Sequence, residues 1–188
     1  MDKIKTIRMP KLGAAWVAIL ALTAGGANSA PLHDAEIVDR VLMFARGEKQ
    51  LADTVKGSLS SAGPWNLAQR VSVDYGDVDR GFASVADRER AYDGAAGRQV
   101  VGADLYGLAG DELDKAYVSR EVKSHEAMLA ELDRQLIPDA SEDLRRRLIG
   151  IRSDIAAHLL HARSIQQAEW KSDAAVQERQ AISREIGN

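Results

Sequence analysis

Apolar side chains in this 188-residue chain recur every three or four positions in four successive blocks, and no window alternates apolar and polar residues long enough to make a strand. That periodicity confines the chain to helices that each bury one stripe. The first block predicts a helix over Asp34–Val55, with Asp34 as N-cap and Ile37, Val41, Phe44, Leu51 and Val55 on its inner face. Gly57–Gly63 is rich in Ser and Gly and reads as a turn. Pro64 suits the first position of a second helix, where a missing N–H costs nothing. Trp65, Ala68, Val71, Tyr75, Val78, Phe82 and Val85 carry its stripe. Tyr92–Gly110 holds five glycines and breaks the pattern, which predicts one long connection.

A third helix is expected from Asp111 to Ile137, stopped by Pro138, with Asp111 and Glu112 at the positive end of its dipole. Leu113, Tyr117, Val118, Val122, His125, Met128, Leu129, Leu132 and Leu136 face inward. Ser141 is an N-cap followed by Glu142 and Asp143, and it opens a fourth helix. There Leu144, Leu148, Ile151, Ile155, His158, Leu159, Ala162 and Ile165 form the stripe. Arg145, Arg146 and Arg147 read as a solvated face rather than an anion-docking site. Beyond Trp170 the chain turns polar, as a frayed helical extension would. Two antiparallel hairpins joined by one longer crossover make an all-α, up-down four-helix bundle.

The first thirty residues read differently. Lys3, Lys5, Arg8 and Lys11 precede an uncharged run from Leu12 to Ala24, and small residues close the segment through Ala30. This is the pattern of a secretory signal peptide, with Ala27-Asn28-Ser29 as the best cleavage match. The apolar run is shorter than the roughly 20 residues of a membrane span. The expected division is therefore a signal peptide over 1–29, a bundle domain over 30–170 and a polar tail over 171–188. Export to the periplasm or beyond the cell follows, with no stable membrane insertion after cleavage.

Composition narrows the chemistry. With no cysteine, the chain has no disulfide, thiolate zinc site, iron–sulfur cluster or cysteine nucleophile. Taking Lys3, Lys5, Arg8, Lys11 and Asp2 from 25 basic and 28 acidic residues leaves 21 against 27, a net of -6. An acidic protein of this kind has no electrostatic attraction for nucleic acid or anionic lipid. Asp74, Asp77 and Asp79 approach a calcium loop's spacing but lack its glycine and sit in a helical stretch, so they read as solvated charges. Neither a Gly-x-Ser-x-Gly elbow nor a His-Glu-x-x-His helix is present.

Several short segments resemble an exported bacterial family known as domain of unknown function 4142. They are Ala35-Glu36-Ile37-Val38 through Glu48-Lys49-Gln50-Leu51-Ala52, Leu67-Ala68-Gln69-Arg70 to Val73-Asp74-Tyr75, and Leu113-Asp114-Lys115-Ala116-Tyr117 with Val122-Lys123-Ser124-His125-Glu126. Ala157-His158-Leu159 with His161-Ala162 resembles the last helix of that family. The resemblance implies a ferritin-like fold, whose order of hairpin, long link and hairpin matches the one read above, and it implies no particular activity. Two positions depart from the family pattern: Tyr75 stands where a histidine is usual, and Ser124 where an acid precedes the third-helix histidine.

The candidate site residues are His125, His158, His161, Tyr75 and Glu121. His125 and His158 each lie midway along a helix and can meet between antiparallel neighbours; Tyr75 is also mid-helix, and Glu121 lies one turn before His125. Two readings stand: the group binds a divalent metal such as zinc or copper, or the imidazoles hydrogen-bond their neighbours and fix helix register. Di-iron bundles need a Glu on two helices and Glu-x-x-His on the other two. No Glu-x-x-His occurs here, which disfavours a ferritin-like oxidoreductase. The expected function is that of an exported, non-enzymatic bundle protein that binds a protein partner or supports the envelope under stress. A metal-binding bundle is the alternative, and oligomeric state is left open.

Overall fold

The structure is a computed structural model that describes residues 31–89 and 102–186. The expected leader, most of the expected crossover and the side chains of Val85 and Trp170 lie outside the described residues. The described chain is all-helical: α1 (Asp34–Val55), α2 (Ala62–Glu89), a 3-10 turn (Ala103–Leu105), α3 (Gly110–Glu131), a π-helical turn (Leu132–Leu136), the short α4 (Ile137–Asp139) and α5 (Glu142–Ile186). Four long helices pack as a helical bundle, as their stripes predict.

Cross-helix contacts give the directions. Arg46 pairs with Asp79, and Ser72 donates to Asp53, so α1 and α2 run antiparallel. Asp133 takes both hydrogen bonds of a bidentate contact from Arg152, and Arg163 reaches Glu126, so α3 and α5 do likewise. Arg40 pairs with Glu131 across α1 and α3, while His158 meets Asp74 and Arg147 meets the Gly81 carbonyl across α2 and α5. The four pairs linked by these contacts are antiparallel, and therefore α2 and α3 point the same way, in an up-down-down-up order. Twenty residues separate Glu89 from Gly110 in the chain.

The core follows the stripes. Ile37, Leu51, Leu67, Tyr75, Tyr117, Leu132, Leu148 and Ile155 are all buried, and Phe44 and Val78 pack against them. Trp65 is the exception among the expected inner residues: it is 44% exposed, and Leu67 takes its place inside. Gly102 opens the 3-10 turn at φ +87°, pressed so closely on α1 that a Cβ there would lie 2.6 Å from Leu51 Cδ1. Only glycine meets both demands.

Three helix ends differ from expectation. The N-cap of α1 is His33, in extended conformation, whose N–H donates to Glu36 Oε2 at 3.0 Å. Asp34 instead accepts from the backbone N–H of Ser141, serving the start of α5, and Asp139 accepts from the Leu32 N–H in return. Pro138 does not stop the third helix. The π-turn before it lets the Ile137 N–H reach Leu132 O, and the ring falls in the first turn of α4, where it needs no donor. The tail beyond Trp170 continues as helix to Ile186. Arg145, Arg146 and Arg147 are exposed as read, but Arg145 also donates to the carbonyls of Ile137, Pro138 and Ala140 and so caps the preceding segment.

Candidate metal centre

Tyr117, Glu121 and His125 are spaced by four residues each and therefore project from one face of α3 into the bundle. Opposite them, α1 presents Phe44 and Glu48, α2 presents Tyr75, and α5 presents His158. All of these except the partly buried Phe44 are buried, and Glu121 and His125 are completely closed to solvent.

His125 is held on both sides. Its Nδ1 lies 2.8 Å from the Glu121 carbonyl oxygen, which can only accept, so this nitrogen carries the hydrogen. Its Nε2 then accepts from the Tyr75 hydroxyl at 2.9 Å. Edge-to-face contacts of His125 with Phe44 and His158, at 5.6 Å between ring centroids in each case, fix the ring plane. Burial, and next the charge of His158, holds the His125 pKa down at about 4. The ring is thus neutral in the folded protein near pH 7, with its one lone pair, on Nε2, taken by the Tyr75 hydroxyl.

The carboxylates are not satisfied in this way. One oxygen of Glu48 and both oxygens of Glu121 are buried without a hydrogen-bond partner. Glu48, Glu121 and His125 each bring a ligand atom to within 4.8 Å of the others, and His125 Nδ1 stands 3.6 Å from Glu121 Oε2. Burial drives the Glu121 pKa well above the ordinary carboxylate range, and the charge of Glu48 drives it further. Burial raises Glu48 as well, against partial relief from Glu121, Ser124 and the Arg120 charge. The Tyr117 hydroxyl is also buried, and its approach to Glu121 lowers that carboxyl's pKa while burial and the two carboxylates raise its own.

Among the residues named from the sequence, Glu121 and His125 enter this cluster and Tyr75 touches it through His125. His158 stacks against the rings of Tyr75 and His125, but its Nε2 is paired with Asp74 Oδ2 at 2.8 Å. Asp74 is therefore a partner of a buried histidine, whereas Asp77 and Asp79 pair with surface arginines. His161 is half-buried and outside the cluster, with its pKa lowered by burial and by the charges of Arg70 and His158. Glu48 is the residue that sequence reasoning missed. It lies four residues after Phe44 and three before Leu51, within the α1 stripe, and a charged residue at such a position is a signal in itself.

The sequence model of a domain of unknown function (DUF4142) matches residues 21–165. The chain belongs to this family, whose description assigns no activity. No curated protein and no solved structure matches significantly.

Proposed function

We propose that this chain is an exported bundle protein of ferritin-like arrangement that holds one divalent metal ion between Glu48, Glu121 and His125. The observation that carries the proposal is the pair of buried carboxylates that share a site without a cation. Two such groups cannot both ionise cheaply, and a divalent ion cancels their repulsion while satisfying the unpartnered oxygens. Carboxylate and imidazole donors suit manganese, iron or zinc. Tyr75 supports the imidazole: once Nδ1 gives up its hydrogen to bind metal, Nε2 carries one and the phenol oxygen can accept it.

A dinuclear centre does not fit. At the level of the cluster, α2 and α5 present Tyr75 and His158, not the Glu and Glu-x-x-His of a di-iron bundle. With Glu121 and His125 closed to solvent, the site suits holding an ion rather than turning over a substrate. The leader pattern at the N-terminus supports export, and the charge balance argues against nucleic acid or membrane as partner.

The test is calorimetric titration of the chelator-stripped protein with Mn²⁺, Fe²⁺ and Zn²⁺, alongside Glu48→Gln and His125→Ala. One ion per chain, with binding lost in both variants, is the expected result. A protein that remains empty, or variants that bind as well as the parent, would overturn the proposal.

A further inference from the structure

We propose that the groove between α2 and α5 binds a small primary amine that carries an apolar body. Its volume of about 480 Å³ is that of a small-molecule site rather than of a protein interface. Val78, Phe82 and Ile151 line it with apolar surface. Gly81 and Gly150 keep it open, since a Cβ on either would meet nothing within 4 Å.

The polar lining is asymmetric. Asp154 lies one turn before His158 on α5, and His158 Nε2 meets Asp74 Oδ2 at 2.8 Å. Asp74 and Asp154, both lining residues, therefore flank one end of the groove. Arg147 bridges to α2 at the other end, donating to the Gly81 carbonyl at 3.2 Å with its guanidinium 6.0 Å from the Phe82 ring centroid. Seven residues of helix separate Gly81 from Asp74, roughly 10 Å along the axis. A ligand of that length can set an ammonium among the carboxylates and lay its chain over Phe82 and Ile151, clear of the arginine.

Charge selects the head group. Asp74, Asp77 and Asp154 face Arg147 within the groove, and Arg80 pairs with Asp77 from the neighbouring turn. Among these aspartates and arginines one negative charge is left over. Asp154 carries it, because that exposed carboxylate has no hydrogen-bond or ion-pair partner among the described residues. One ammonium balances the set, and its three N–H donors suit a place between two carboxylates. A bare inorganic cation would leave the apolar floor uncovered, and an anion would be repelled. None of these residues belongs to the proposed metal centre, so the two readings stand or fall separately.

The test is calorimetric titration at pH 8 and low salt with n-hexylamine, hexan-1-ol and hexanoate, on the parent, Asp154→Asn and Gly150→Leu. Leucine at position 150 fills the groove from a helical site where it is the better helix former, so this variant should melt no lower than the parent. The expected result is one hexylamine per chain, with hexanol weaker by roughly tenfold and hexanoate not bound. Asp154→Asn should weaken hexylamine by roughly tenfold, and Gly150→Leu should abolish its binding. An alcohol that binds as tightly as the amine, or hexylamine binding that survives in Gly150→Leu, overturns the proposal. So does a parent that binds a blocked lysine tripeptide but not hexylamine, which would give the groove to a protein partner, and so does one that binds no probe at all.

Discussion

Glu48 and Glu121 meet across the interface of α1 and α3, and three of their four carboxylate oxygens are buried without a hydrogen-bond partner. The two residues belong to different hairpins, 73 positions apart in the chain, so nothing local in the sequence pairs them. Their proximity opposes folding when both are ionised and becomes useful when a proton or a cation lies between them.

Glu121→Gln should therefore separate stability from binding. Replacing one carboxylate with an amide of the same shape removes the repulsion, and the metal-free protein should gain about 1–3 kcal/mol at pH 8. For a chain of this size that is roughly 2–10 °C in melting temperature. The same variant should lose metal-dependent stabilisation. A lower melting temperature in chelator would contradict the account.

The pH dependence has two limbs with opposite signs. The native pKa of Glu121 is raised, so its stabilising effect is complete below the ordinary carboxylate value of 4.5 and is lost as pH rises through the native value. That of His125 is lowered from 6.5 to about 4, so its contribution is present above 6.5 and is lost as pH falls towards 4. Melting in EDTA between pH 4 and 9 should show a mildly acidic optimum. Glu48→Gln should flatten the alkaline limb and leave the acid limb unchanged; an unaltered alkaline limb would exclude the carboxylate pair as its cause.

Tyr75→Phe removes the donor to His125 Nε2 and leaves a buried acceptor unmet, which should cost about 1–3 kcal/mol. Loss of an outer-sphere partner of a metal-bound histidine typically lowers affinity about 10–100-fold. Zinc titration of this variant should show that weakening at unchanged stoichiometry, and unchanged affinity would place Tyr75 outside the site.

The end contacts can be tested without metal. Asp34 accepts from the Ser141 N–H and acts as a cap in trans for α5. Asp34→Ala should cost ~0.5–2 kcal/mol, as lost caps do. Chemical denaturation should register this as a lower midpoint with the same slope.

Much of the fold was legible because helical stripes and their punctuation are local. The bounds of α1, the start of α5 at Ser141 and nearly the whole inner face of α3 follow from spacing. Pro138 misled because a π-turn five residues long changes which N–H the helix needs, and no single residue marks that turn. At the site, His125, Tyr75 and Glu121 could be read from their mid-helix positions. Asp74 and Glu48 could not be read in the same way, since each acquires its role from a side chain on another helix. Spacing tells which face of its own helix a residue occupies, not what stands opposite. Glu48 nevertheless left a trace, as a carboxylate inside an apolar stripe.

The cluster takes Glu48 from the first hairpin and Glu121 and His125 from the second. Each hairpin closes over a short turn, and the cluster exists only where the two hairpins meet. An ion seated there would act on the docking of the two hairpins. It should slow escape from the native state far more than it speeds arrival there, and a loaded protein would owe its persistence to a high barrier against coming apart.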